Sequence, residues 1–287
     1  MSPIHTNSLP LMHDFSLEIT GKDTQAIVEA KADIPEGTRI NVTFLGNEDL
    51  KMRVDAAKAV RDAGFVPVPH LAARRITSTE EYQTILSTLQ DEGLSEQLFL
   101  IAGDPTQPHG PYNSALSLIT GEQLVDYGVQ EIGISGYPEG HSDIADDILE
   151  QSFLEKVDAL QQLALRTTVI TQFAFDAEAV ISWLRSVRTK GYQGPIRIGT
   201  PGPAGIKRLL AYANRFGIAS SAGIVRKYGF SLTNLLGTAG PDKFILDLQK
   251  ALSSDPQFGD VAVHFYTFGG LQATAQWAER FIRKASF

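Results

Sequence analysis

The chain has 287 residues, of which 43% are hydrophobic and 20% charged, with a net charge of −8 and no cysteine. That is an ordinary globular composition with enough length for a large core. It excludes disulfides, thiolate metal sites and cysteine nucleophiles, and the acidic balance argues against a nucleic-acid surface. No apolar run approaches the roughly 20 residues of a membrane span, and residues 1–14 hold no apolar signal segment. A cytoplasmic protein with neither membrane nor nucleic-acid partners is the expectation.

In chain order, the first strand pattern covers residues 15–20 and carries Glu18 late in its run. The second, 39–45, carries Thr43. A helix follows at 49–63, where Leu50, Val54, Ala57 and Val60 recur at helical spacing before Gly64. The third strand, 66–72, holds His70, and Tyr82, Ile85, Leu86 and Leu89 mark a helix at 78–90. The fourth, 97–102, runs into Gly103-Asp104-Pro105. The fifth, 130–135, is cut short by Tyr137-Pro138, because proline lacks the N–H that a ladder needs. A helix at 145–165 leads to the sixth strand, 167–175, with Gln172, Phe173 and Phe175 on it.

After a helix at 177–189 comes the seventh strand, 195–200, and then a helix at 205–216. The stretch 202–259 is about twice a normal crossover and holds further helical patterns at 219–228, 232–236 and 243–252. The eighth strand, 261–268, carries His264, Tyr266 and Phe268, and a helix at 271–284 closes the chain. Short Val-, Ile- and Phe-rich strands alternating with helices read as buried parallel strands. The pattern predicts an α/β chain forming a closed (β/α)8 TIM barrel, one domain over 1–287, elaborated between strands seven and eight. No G-x-G-x-x-G follows an early strand, which weighs against a Rossmann sheet.

In such a barrel the chemistry gathers at the carboxyl ends of the strands. Those ends hold Glu18, Thr43, His70, Asp104, Tyr137, Glu139, His141, Gln172, Phe175, His264 and Tyr266. Each has a plainer reading: a solvated strand end for Glu18, a core histidine for His70, an Asx-turn before Pro105 for Asp104. Their concentration on one face favours a site. Strand six carries no lysine, which disfavours a Schiff-base aldolase, and strand one has no His-x-His for a metal hydrolase. No metal is expected. Two carboxylates beside aromatic rings and an amide suit a flat heteroaromatic ligand.

Tyr137-Pro138-Glu139-Gly140-His141, then Lys156-Val157-Asp158-Ala159, then Thr171-Gln172-Phe173-Ala174-Phe175-Asp176 resemble the methylenetetrahydrofolate reductases. Pro69-His70-Leu71, Gly103-Asp104-Pro105 and His264-Phe265-Tyr266-Thr267 fit the same family in the same order. The resemblance implies a barrel enzyme that reduces 5,10-methylenetetrahydrofolate to 5-methyltetrahydrofolate with NADH or NADPH, the family normally passing the hydride through FAD. It implies Glu18 as general acid toward N10 and Asp104 as counter-charge to the cationic iminium, in a dry site. It implies Gln172, Phe175 and Tyr266 at the folate, and Thr43, His70, Tyr137, His141 and Lys156 around the cofactor.

The departures from the family concern FAD. Ala102 stands where relatives carry arginine, Ser152 and Glu155 stand where they carry asparagine and a base, and Gly269-Gly270 replaces an Asn-Arg pair. The helix around Lys156 is acidic, with Asp143, Asp146, Asp147, Glu150 and Glu155. A flavin diphosphate wants arginine forks, backbone N–H groups or a helix N-terminus. Each lost charge-assisted contact costs on the order of 1.5–3 kcal/mol, so two or three weaken binding by several decades. The reading favoured is direct hydride transfer from NAD(P)H without flavin, with Arg74 and Arg75 as cations that compensate or serve the nicotinamide cofactor. The alternatives are a conventional FAD-dependent reductase and a non-catalytic folate- or nicotinamide-binding barrel. The choice of NADH or NADPH, the oligomeric state and the physiological direction stay open.

Overall fold

The computed structural model describes residues 10–215 and 238–285. Its parallel strands are β1 (Ser16–Ile19), β2 (Arg39–Val42), β3 (Val66–Ala72), β4 (Gln97–Ile101), β5 (Glu131–Gly136), β6 (Arg166–Thr171), β7 (Ile196–Pro201) and β8 (Val261–Tyr266). Each pairs with its neighbours in chain order, and β1 pairs with β8 to close the barrel. A two-stranded antiparallel ribbon, Ala204–Gly205 with Thr238–Ala239, stands after β7.

The helices are α1 (Pro10–His13), α2 (Thr24–Ala30), α3 (Leu50–Asp62), α4 (Thr79–Asp91), α5 (Ala115–Ile119), α6 (Asp146–Gln162), α7 (Ala177–Thr189), α8 (Ile206–Arg215), α9 (Asp242–Ser253) and α10 (Leu271–Ala285). Side chains set their starts. The Asp49 carboxylate accepts the Met52 N–H, Ser78 Oγ accepts that of Glu81, and Asp176 accepts those of Glu178 and Ala179. The patterns at 219–228 and 232–236 lie outside the described residues.

Strand parity sorts the residues into two layers. Leu17, Ile19, Ile40, Leu71, Leu98, Ile132, Val169, Ile198 and Phe265 point outward into one core shared with the helices. Ser16, Glu18, Asn41, His70, Phe99, Gly133, Thr168, Arg197 and His264 share the inward register. Phe99 fills the interior because Gly133 leaves room: a Cβ there would lie 2.5 Å from the Phe99 ring. At the amino end, Asp14 pairs with Arg39 and with the buried Arg197. The amino end is thus closed by packing and ion pairs.

Three strand ends come at least two residues earlier than the sequence pattern predicts. β2 stops at Val42, so Thr43 lies just past it, β6 stops at Thr171, and β8 stops at Tyr266. Phe173, Phe175 and Phe268 extend the apolar pattern without extending the ladder. They are packed in a second cluster with Ala204 and Leu209 of the β7–α8 segment. Gln172 and Phe175 therefore sit on the loop between β6 and α7, not on a strand. The short α2 and α5 complete the alternation where no helix was expected.

Candidate functional site

The inward residues at the carboxyl ends of β1, β3 and β8 meet around Glu18. Its Oε2 lies 3.9 Å from Nε2 of His70 and 3.7 Å from Nε2 of His264. The Glu18 side chain keeps 18% of its exposure, whereas His264 is fully buried. Burial raises the Glu18 carboxyl to about 7, an effect the neighbouring His70 partly opposes. The same burial pushes His70 down to about 4 and His264 down to about 3. At neutral pH the carboxyl therefore titrates between two neutral imidazoles.

Polar partners fix both rings. Asn41 Nδ2 stands 2.9 Å from His70 Nε2, and Ser16 Oγ stands 2.8 Å from His264 Nδ1. Tyr266 packs edge-on to His264 at 5.1 Å, and its hydroxyl donates to the Thr171 carbonyl at 3.0 Å. Burial, then the charges of Glu18 and Tyr137, raise its phenol well above the usual range. Tyr137 is also raised by burial, against a hydrogen bond with Ser135, and its ring lies edge-on to His141 at 5.6 Å. Glu18, His70, Tyr137, His141 and Tyr266 thus form one group at the mouth.

The loop carrying Tyr137 and His141 is tied across to the next one. Glu139 Oε1 accepts the N–H groups of Phe175 and Asp176, both at 2.7 Å. The Gln172 amide oxygen accepts the Phe173 N–H at 3.1 Å, while the Gln172 N–H donates to the Gly136 carbonyl. Thr43 donates its N–H to the Ile19 carbonyl, and its Oγ1 is buried with no partner among the described residues.

Other expected residues stand differently. Asp104 is not a dry, fixed charge: its side chain is 64% exposed and bound by Arg75 at 2.6 Å. Arg75 grips both oxygens, with Nη2 also 2.8 Å from Oδ2. The physical reason is Gly103, whose φ of +92° turns the chain outward straight after β4. Arg74 is engaged too, donating to the carbonyls of Asn113 and Pro105. Phe175 is buried in the second cluster rather than lining the mouth openly. Lys156 is buried on α6 with no ion pair among the described residues, and burial lowers its ammonium to about 8 against the pull of Glu155. The first turn of α6 carries Asp146 and Asp147, and Glu150 pairs with Lys190.

Two of these residues have partners that local sequence pattern does not reveal. In the sequence Arg75 stands only as a general cation, and His264 only as one of many strand-end residues. The signal for His264 was its position two residues before Tyr266, which gives it the same inward face.

The family model described as methylenetetrahydrofolate reductase matches residues 23–207. The fold is similar to that of an uncharacterized protein from Clostridium thermocellum that binds two copies of 5-methyl-5,6,7,8-tetrahydrofolic acid. That match has a TM-score of 0.64 at 12% identity and covers 94% of this chain and 95% of the other. Dihydropteroate synthase from Thermus thermophilus aligns with a TM-score of 0.48 at 13% identity, covering 94% of each chain.

Proposed function

We propose, on the premise that this chain belongs to the methylenetetrahydrofolate reductase family, that it reduces 5,10-methylenetetrahydrofolate to 5-methyltetrahydrofolate with NAD(P)H directly. The observation that carries the reading is Glu18, a largely buried carboxyl at the mouth of the barrel, 3.9 Å from His70 and 3.7 Å from His264, which burial raises to about 7. A proton donor near neutral pH needs such a group. The similar chain from Clostridium thermocellum binds 5-methyltetrahydrofolate, the product in this reading, and we carry that ligand class to this mouth.

Glu18 gives its proton to N10 of the folate, and the bond from N10 to the bridging methylene breaks. The positive charge then rests on the iminium formed by N5 and that methylene carbon. Bound NAD(P)H would supply the hydride that adds to this carbon. Gln172 holds the pterin edge through its amide, with Tyr266 shaping the wall and Phe175 packed behind it. Asp104 supplies the counter-charge to the iminium, with Arg75 holding its carboxylate in place. Thr43, His70, Tyr137, His141 and Lys156 line the place of the reductant.

The flavin-free part rests on the donor set. A flavin diphosphate would meet Asp146 and Asp147 in the first turn of α6, where the helix dipole would otherwise favour an anion. Arg75 is bound to Asp104, and Arg74 to two carbonyls. These residues do not fit FAD. A flavin-dependent reductase is the second reading, and Lys156, which has no ion pair among the described residues, is the observation that favours it. Two-substrate steady-state kinetics separate the two. Direct transfer needs both substrates bound at once, so double-reciprocal lines at varied folate must intersect. Parallel lines, the mark of a stored hydride, would contradict the proposal.

A further inference from the structure

Glu18 is flanked by two histidines that offer it different faces. The parallel register sets Ser16 opposite His264 and Glu18 opposite Tyr266, so all four side chains point inward. The Ser16 hydroxyl has His264 Nδ1 as its hydrogen-bond partner at 2.8 Å. With the hydroxyl as donor, the ring proton sits on Nε2. Nε2 is buried, has no hydrogen-bond partner among the described residues, and faces Glu18 Oε2 at 3.7 Å. On the other side, the Asn41 amide donates to His70 Nε2, so that nitrogen carries no proton to offer Glu18, 3.9 Å away.

We propose that His264 is a positioning residue for Glu18, its Nε2–H taking up the carboxylate that remains once Glu18 has given away its proton. This rests on the reading of Glu18 as the proton donor. A separation of 3.7 Å is too long for a full hydrogen bond in the resting site. It closes by a small rotation when the carboxyl becomes charged. A bond made only with the charged form favours the transfer rather than the resting state. The other titratable groups facing this pair are His70 on β3, Tyr266 on β8 and, through Tyr266, Tyr137 after β5; Arg197 on β7 acts on His264. Both tyrosines are held in the neutral phenol form, and burial, then the Arg197 charge, keeps His264 from gaining a second proton. His264 therefore orients and hydrogen-bonds without itself exchanging a proton.

The test is the pH profile of kcat/KM for the folate in Ser16→Ala, His264→Leu, His264→Gln and Glu18→Gln. Loss of the Nε2–H leaves the carboxylate less stable, so His264→Leu moves the Glu18 inflection up by about one pH unit and lowers kcat about 10–100-fold. Ser16→Ala removes one hydroxyl, spares the fold, and moves the inflection the same way by less. His264→Gln, whose amide reaches the same place, recovers most of the activity. Unchanged inflections in Ser16→Ala and His264→Leu, with Glu18→Gln inactive, overturn this inference alone. A fully active Glu18→Gln overturns the reading beneath it as well.

Discussion

Glu139 accepts the backbone N–H groups of Phe175 and Asp176 through a single oxygen, Oε1, at 2.7 Å each. The Tyr-Pro-Glu-Gly-His segment is therefore a brace between the loops after β5 and β6 as well as a rim of the site. Glu139→Ala removes two charge-assisted bonds, each contributing roughly 1.5–3 kcal/mol. Its chemical-denaturation midpoint should fall by an amount equivalent to about 3–6 kcal/mol, and folate affinity should weaken as Gln172 loosens. An unchanged midpoint would show that the brace contributes nothing.

The Glu18 carboxyl lies at 4.5 ordinarily and about 7 in the fold. A folded pKa above the unfolded one adds stability that is fully present below pH 4.5 and lost as pH rises to about 7. Glu18→Gln carries no such charge. It should be more stable than the parent at pH 8 by an amount on the order of 3 kcal/mol and about equal at pH 4. Turnover should drop at least about 100-fold, with folate binding, read by calorimetry, nearly intact. Equal stability of the two proteins at pH 8 would contradict the burial argument.

Lys156 gives the opposite sign. Its ammonium falls from 10.5 to about 8 in the fold, so the buried charge costs stability below about pH 8 and the cost disappears toward pH 10.5. Lys156→Met should therefore melt higher than the parent at pH 7. If Lys156 holds the phosphates of the reductant, the same variant should raise KM for NAD(P)H about tenfold and leave kcat within a few-fold. A KM that stays put would remove Lys156 from the site.

Asp104 and Arg75 should separate by kinetics. Asp104→Asn keeps the shape but loses the charge that faces the iminium, and should lower kcat about 10–100-fold with little change in folate KM. Arg75→Gln disturbs only the resting pair and should cost less than about tenfold. If the two variants were equally impaired, Asp104 would act through its bridge to Arg75 and not through its charge.

The barrel was legible because both faces of its strands are buried, leaving continuous apolar runs at 66–72, 97–101 and 131–136. The strand ends were less so. Phe173, Phe175 and Phe268 look like strand residues, but α8 and the β7 loop cover them, and no ladder does. Glu18, His70, Tyr137 and Tyr266 could be found from strand position alone. The Arg75–Asp104 bridge depends on the outward turn at Gly103. The Ser16–His264 bond joins residues 248 positions apart through the closure of the barrel. Neither contact is written in local pattern.

The most direct test of the flavin-free proposal is the absorption spectrum of the purified full-length protein, read beside its NAD(P)H-dependent reduction of 5,10-methylenetetrahydrofolate with and without added FAD. The account predicts a colourless preparation with the same activity in both assays. A stoichiometric flavin band, or activity that appears only when FAD is supplied, would contradict it.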